Sequence, residues 1–585
     1  MYVVRLQGKQ RERLKNGTIS RTTSFLAASP SADGSQPTHS LIGLPLMAIA
    51  AAAFAVEIPF FFLGIPSGHD VEFHLYSWLD VLSQWKQGIF YPHWAALAHF
   101  GYGEPRFVFY PPASWTLGAL LSAVFPWVVV SQIYIWLALV AAGASMFILA
   151  RRWLSRGDAT LAAVLYAVNP YHLVIVYWRS AFAELLASCL LPLLVLLLVR
   201  KEKRNSGKIL WLGMLLAAAW LVNAPAAVMI HYSLALLIIV LAWQDKSPRI
   251  LLTGTAAIAL GAALAAFYLF PAVYEQKWVN IAEAISPGAR PLDNFFFVHT
   301  ADADHDAFNR VMSWVSTAEI LLTIAAAWSA RRWRVRSQNL WWLLVIWASA
   351  CMVMMLSISH PLWAVLPKLR FMQFPWRWML CMGVPFSLLA AIGIRRWPAR
   401  IVFYVAALCV LGFSWHHFQA PWWDNISDLR EMQDNMATGA GYEGTDEYTP
   451  TGADPSTVDK DARRVTVGGS AHAAIRVFQW TAATKAFTAD MTDPDTLVLH
   501  LFNYPAWQVE VNGLRVSADT REGTGQMLIP VKTGVNQVRI TFARTWDRTA
   551  GAWISILAVG LVLLAFRRSS LKLPHSAIPA SASSS

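Results

Sequence analysis

The sequence predicts a polytopic α-helical membrane protein of about twelve spans with a β-sandwich domain near its carboxyl end. Three observations carry that reading. Hydrophobic residues make up 56% of the 585 positions and charged residues only 14%, well below the charged share of a soluble domain. Twelve apolar segments, at 41–64, 131–150, 158–177, 181–199, 208–223, 226–243, 250–271, 312–330, 339–357, 377–394, 400–415 and 550–566, approach the ~20 residues that cross a bilayer. Between the last two segments the pattern changes to an alternation of period two, the signature of half-buried strands.

Residues 1–40 are polar and basic and read as a disordered cytoplasmic amino terminus. Segment 41–64 is longer than the apolar core of a secretory signal and leads into further membrane chain, which predicts an uncleaved first helix. Basic clusters open or close nearly every apolar segment, among them Arg151 and Arg152, Lys201 to Arg204, Arg331 to Arg336, and Arg567 and Arg568. If the amino terminus is cytoplasmic, twelve crossings place all of these clusters, and the carboxyl terminus, on that same side. The net charge of +12 is then a topology signal, and no nucleic-acid partner is expected. The stretch 111–128 is also apolar, but a full crossing would break the parity, so it is expected to re-enter or to lie on the surface. All four cysteines (Cys189, Cys351, Cys381, Cys409) fall inside apolar segments and read as small core residues rather than a disulfide framework.

The chain thus divides into the tail 1–40, a transmembrane domain 41–415 with an external loop at 65–130, an external mostly-β domain 416–549, and a last span with a cytoplasmic tail at 550–585. In the β domain, Thr496 to Leu501, Trp507 to Val511 and Val538 to Phe542 alternate, and Asn512-Gly513 after the second run predicts a tight hairpin. The cytoplasmic loops are too short to build a site, so the chemistry is expected on the outer face.

There the stretch PSGHDVEFHLY, residues 66–76, packs two acids and two histidines directly after the first span. Apolar residues at Val71, Leu75, Trp78, Leu82 and Trp85, ending at Gly88, predict an amphipathic helix lying along the membrane surface. Asp70 and His74 share its face. One reading of Asp70 is local: Ser67-Gly68-His69-Asp70 fits a capping box, with Glu72 and His74 on a solvated face. The other is functional, because carboxylates kept at the lipid boundary, with Glu57 near the end of the first span, are costly to hold there.

An acid-bearing first loop, an amphipathic helix, many spans and an external carboxyl-terminal domain resemble the GT-C superfamily of membrane glycosyltransferases. The stretches Gly88 to Trp94, Gly101 to Pro105, Phe109 to Pro112, Tyr177 to Glu184, Gln373 to Arg377 and Tyr504 to Gly513 resemble more closely a bacterial subgroup. Its members are membrane proteins with a 6-pyruvoyl-tetrahydropterin synthase-related domain, akin to YfhO-like proteins. The resemblance runs from about 65 to 566 and implies a GT-C-like fold in the bacterial cytoplasmic (inner) membrane. It implies a polyprenyl-phosphate-linked sugar as donor and a glycan, lipid or protein outside the membrane as acceptor, with membrane lipids around the spans. It also implies Asp70, in the pair Asp70-x-Glu72, as general base, with Glu72 assisting or helping to hold a divalent cation.

A leaving lipid phosphate needs positive charge. Arg179 and Arg377 sit at the outer ends of spans, where a guanidinium could grip phosphate oxygens or simply anchor the helix. Glu184 is either the partner of Arg179 or a second functional acid, and His74, Glu275 and Lys277 are further candidates to line the cavity. Asp302, Asp304, His305 and Asp306 carry hard-cation ligands but read better as a solvated loop. His231, inside a span, reads as a packing residue, and the acidic, aromatic stretch from Tyr442 to Tyr448 could contact a sugar or be an exposed loop. No P-loop or Rossmann fingerprint is present for a nucleotide-sugar donor. The alternatives to a transferase are a transporter or flippase for a lipid-linked glycan or polar solute, which would need mid-membrane charges and interrupted helices, and a non-catalytic envelope assembly protein.

Overall fold

A computed structural model describes residues 40–200, 205–333 and 338–570. The basic amino-terminal tail, the cluster at 201–204, the cluster at 334–337 and the carboxyl-terminal tail after 570 lie outside the described residues. Among the described residues ten helices are long and apolar enough to cross a membrane, from Gly43–Leu63 to Trp546–Arg567. The helices Arg249–Leu264 and Ala266–Trp278, bent by 77° at their junction, are apolar enough together to count as an eleventh if the pair is one span. The predicted segment 208–223 is the shorter apolar helix Ser206–Val222.

The 77° bend falls at Ala265, where neither Gly nor Pro marks the sequence. Ser555 of the carboxyl-terminal helix makes it possible. Its hydroxyl accepts from the Phe267 N–H (2.9 Å) and donates to the Ala263 carbonyl (3.1 Å), satisfying two backbone groups that the break releases.

The apolar stretch 111–128 forms the helix Pro112–Val124, thirteen residues long and hence ~20 Å, short of the hydrocarbon thickness. It packs on Val71–Lys86, and Gly118 lets the Trp78 ring lie against its backbone: a Cβ there would meet the indole at 2.1 Å.

The Val71–Lys86 helix corrects the expectation of a half-solvated surface helix. Ten of its sixteen residues are buried, among them the polar His74, Asp80 and Gln84. The reason is a second cover. The helix Ile426–Thr438, with a capping box from Asn425 and Asp428, lies near its other side, and Tyr76 stacks on Tyr442 at 4.5 Å.

Strands β1 (Ile65–Pro66) and β2 (Trp423–Asp424) pair where the first span and the 416–549 segment meet. The remaining strands form two antiparallel sheets. The first has the order β3-β6-β10-β9, from β3 (Val465–Val467), β6 (Asp495–Phe502), β9 (Asp519–Thr520) and β10 (Gln526–Val531). The second has the order β4-β5-β11-β7-β8, from β4 (Ala473–Trp480), β5 (Thr484–Met491), β7 (Trp507–Val511), β8 (Leu514–Val516) and β11 (Gly534–Phe542). Leu497, Leu499 and Ile529 from one sheet and Phe487, Val538 and Ile540 from the other share one apolar core, which makes a sandwich. Asn512 (φ +52°) and Gly513 (φ +78°) form the tight turn between β7 and β8, both residues left-handed as a type I′ hairpin requires.

Candidate functional site

The site begins where segment 66–70 runs beside 178–180. The chain around Val174–Arg179 is a π-helical turn, and Ser180 then takes a left-handed conformation (φ +50°). Such wide turns shift the register of a helix and turn its last side chain aside. Gly68 donates to the Ser180 hydroxyl (3.1 Å), His69 N–H to the Trp178 carbonyl (3.3 Å) and Asp70 N–H to the Arg179 carbonyl (2.8 Å). A Cβ on Gly68 would sit 2.4 Å from the Trp178 carbonyl oxygen, so only glycine allows this approach. These contacts overturn the capping box. Asp70 is the residue before the helix and makes no side-chain cap bond, because tertiary pairing with 178–180 directs it elsewhere.

Freed from capping, the Asp70 carboxylate meets Arg179 Nη2 at 3.3 Å. Arg179 Nη1 donates to Glu184 Oε2 (3.1 Å), and the same oxygen lies 3.3 Å from Arg377 Nε. Tyr171 closes the cluster by donating to Glu184 Oε1 (2.5 Å). Four of the residues singled out from sequence therefore form one ionic chain, Asp70–Arg179–Glu184–Arg377. Both guanidiniums and Glu184 are buried, whereas the Asp70 side chain remains 38% exposed. The Arg179 guanidinium lies 5.1 Å from the Phe374 ring and 5.4 Å from Trp376, and Arg377 lies 5.0 Å from Phe374. Two like charges thus stand side by side, bridged by one buried carboxylate and faced with aromatic rings.

His74 borders this cluster but does not open to it. It is buried, stacks on Phe182 at 5.1 Å, and its Nε2 has no hydrogen-bond partner among the described residues. Burial pushes its pKa down to about 4, with neighbouring Asp70 working in the opposite direction. A ring held neutral gives stability that is complete above the unfolded value of 6.5 and drains away as the pH falls toward 4. His74→Phe is expected to flatten that limb of a pH series of thermal unfolding curves; an unchanged limb would contradict the assignment.

Glu72 has an exposed side chain and forms no ion pair with the arginines among the described residues; partial loss of solvent around its carboxyl, together with Glu443, raises its pKa. Glu275 stands apart altogether. It is fully buried, accepts from Tyr504 (2.6 Å), and takes both Arg548 Nε and Nη2 at 2.7 Å. Where the sequence predicted a residue lining the substrate cavity, the structure shows a closed, bidentate pair that joins the broken helix to the last span and the β region. Asp302 caps the helix Ala303–Ala330 by accepting from His305 N–H, and Asp306 pairs with His299 at 3.0 Å, which is local turn chemistry. His231 bonds the Ala227 carbonyl within its own helix (2.7 Å), a packing role. Among the described residues no three His, Cys, Asp or Glu side chains come together as the ligands of an all-protein metal site.

Sequence reasoning missed a second buried ionic cluster beside the Val71–Lys86 helix. Glu104, wholly buried, binds Arg106 Nε (2.5 Å), His99 Nε2 (2.9 Å) and the Thr445 N–H (2.8 Å). Arg106 reaches on to the Ser77 (3.0 Å) and Thr445 (3.1 Å) hydroxyls and lies over the Phe73 ring at 4.3 Å. The segment 442–448 is thereby strapped across the Val71–Lys86 helix. It brings Tyr448 near Phe73 (6.4 Å) and puts Glu447 in the field of Asp70. Loss of solvent around Glu447 pushes its carboxyl pKa up to about 7.

No curated protein matches the chain in sequence. Among solved structures, the chain is similar to the oligosaccharyltransferase of Archaeoglobus fulgidus in its apo form (14% identity, TM-score 0.39, 67% of this chain and 57% of that one). It is also similar to the archaeal oligosaccharyltransferase AglB of the same organism in complex with an inhibitory peptide and a dolichol-phosphate (13% identity, TM-score 0.39, 70% and 56%). The chain therefore spans little more than half the length of the proteins it matches. Residues 107–418, more than half of the sequence, match the model of the 6-pyruvoyl-tetrahydropterin synthase related domain, described as a membrane protein, and the chain belongs to that family.

Proposed function

We propose that the protein is a GT-C-type membrane glycosyltransferase that moves a sugar from a polyprenyl-phosphate donor to an acceptor outside the cytoplasmic membrane. The observation that carries this reading is the ionic chain itself: a partly exposed carboxylate, Asp70, held 3.3 Å from the first of two adjacent buried guanidiniums. In a single displacement the acceptor oxygen bonds to the anomeric carbon as the bond from that carbon to the phosphate oxygen breaks. The phosphate leaves with the electron pair, and Asp70 takes the acceptor's proton.

Charge changes in step. Before transfer, Asp70 and Glu184 balance Arg179 and Arg377, and the phosphodiester carries one negative charge. Transfer neutralises Asp70, freeing one positive charge on the arginines as the departing monoester gains one negative charge. Glu184 serves to hold both guanidiniums in place, and the Phe374 and Trp376 rings flank the cations. The helices bind the lipid, and the strapped segment 442–448 with the β-sandwich faces the acceptor. The basic clusters that flank the spans support an outward-facing site with both termini cytoplasmic.

The test is a comparison, by mass spectrometry, of lipid-linked sugars and surface glycans in cells with wild-type protein and with Asp70→Asn at matched membrane abundance. A lost glycan with accumulated lipid-phosphate sugar is the expected result; identical profiles would overturn the reading. Transport is the rival that a specific observation favours, because both carboxyl oxygens of Glu319 are buried within a span with no partner among the described residues. Uptake or flipping abolished by Glu319→Gln, with unaltered glycans in Asp70→Asn, would establish it.

A further inference from the structure

A cavity of about 430 Å³ lies in the β region against the end of the broken helix. Its walls include Lys277 and Trp278 from the membrane domain and Asn503, Trp507, Gln508 and Arg515 from the sandwich. Trp278 is half-buried and braced edge-on by Tyr274 (5.5 Å, 82°) and Tyr504 (5.5 Å, 87°), which fixes its ring. Asn503 spends its amide nitrogen on Thr520 (2.8 Å). The Gln508 amide and the Arg515 guanidinium make no side-chain hydrogen bond among the described residues. Register sets Glu510 opposite Arg515, yet no ion pair forms between them. Lys277 contacts only ring faces, at 3.9 Å from Tyr274 and 5.6 Å from Trp278. The two charged groups of the lining are both cations.

We infer that this groove binds an acidic glycan, a chain of sugars bearing carboxylates, as the acceptor of the transferase reaction; the acceptor role rests on the transferase reading above. Fixed indole rings suit the C–H faces of pyranose rings, whose slight positive charge matches the aromatic face. Free amide and guanidinium donors suit hydroxyls and carboxylates, the latter bidentately. A peptide adding to the sheet is the weaker fit, since the edge strand beside the groove, β8, has only three residues to pair with. The groove is also linked to the site through the chain. Pro450 and Thr451 line it, and Glu447, whose carboxyl feels the Asp70 charge, is four residues before Thr451, at most ~14 Å along the chain. The Thr451 N–H bonds the Trp278 carbonyl (3.0 Å), tying that link to the groove wall.

The experiment is calorimetric titration of the full-length protein in detergent with a galacturonic acid hexamer, with maltohexaose as the neutral glycan and with hexaglutamate as the acidic peptide. The galacturonic acid hexamer is expected to bind, with maltohexaose at least about tenfold weaker and hexaglutamate showing no saturable binding. Arg515→Gln, an exposed change that leaves the fold intact, and Trp278→Ala are each expected to weaken the acidic hexamer about tenfold or more. No binding of that hexamer, binding unaffected by Arg515→Gln, or equal binding of hexaglutamate would overturn the inference. Failure here with transfer still lost in Asp70→Asn discards the groove and keeps the transferase. Success here with transfer intact in Asp70→Asn keeps a glycan site and discards the assigned base.

Discussion

Asp70→Asn is expected to lower turnover by about 10²–10⁴-fold, the usual contribution of a positioned general base, while the protein remains folded and still binds lipid phosphate. The substitution keeps the shape of the side chain and removes its charge and its basicity. Arg179 then loses one of two carboxylate partners, at 3.3 Å, but keeps Glu184 at 3.1 Å. Because the Asp70 side chain is 38% exposed, the lost ion pair costs little stability. The guanidiniums, relieved of one negative neighbour, should hold a lipid phosphate as tightly as in the wild type or tighter. Chemistry and binding are thereby separated: single-turnover transfer falls, and the affinity for a polyprenyl phosphate does not. Asp70→Glu should recover part of the rate, since the base is retained on a longer arm. Turnover by Asp70→Asn within threefold of the wild type would remove Asp70 from the chemistry.

Much of this site could be read from sequence because its members advertise themselves. Arg179, Glu184 and Arg377 are ionisable groups at the ends of apolar spans, where a charge must have a reason to be. Their partners could not be read. Arg106 and Glu104 are two residues apart on an irregular turn, and the group they capture, Thr445, is 339 residues from Arg106. Glu275 looked available only because Arg548, 273 positions away, was invisible as its counter-ion. The capping box at Asp70 was a sound local prediction that lost to tertiary pairing, as backbone N–H groups went to segment 178–180 instead. The Asn512-Gly513 hairpin needs no distant partner, and there sequence and structure agree. The helix Ile426–Thr438 was legible in Asn425 and Asp428, and the reading of 416–549 as mostly β passed over it.

Arg106→Met is expected to cost about 3–5 kcal/mol of stability, because it leaves Glu104 buried without its main counter-charge. Burial alone would raise the Glu104 pKa. The Arg106 guanidinium, with help from His99 and the Thr445 N–H, more than reverses this and holds it down at about 2. A carboxyl held below its unfolded value of 4.5 contributes stability that is fully present above 4.5 and lost as the pH falls toward 2, on the order of 3 kcal/mol in all. Arg106→Met should remove that acid limb as well as lower the apparent unfolding temperature at neutral pH. The double substitution with Glu104→Gln should be less damaging than Arg106→Met alone, since no uncompensated charge stays inside. Function should suffer further than stability, because the strap is what holds segment 442–448, with Tyr448 near Phe73, against the helix that carries Asp70 at its start. In the double variant, then, a melting temperature partly restored with transfer still impaired is the expected pattern. A wild-type melting temperature for Arg106→Met would mean that the segment 442–448 is held by something other than this buried cluster.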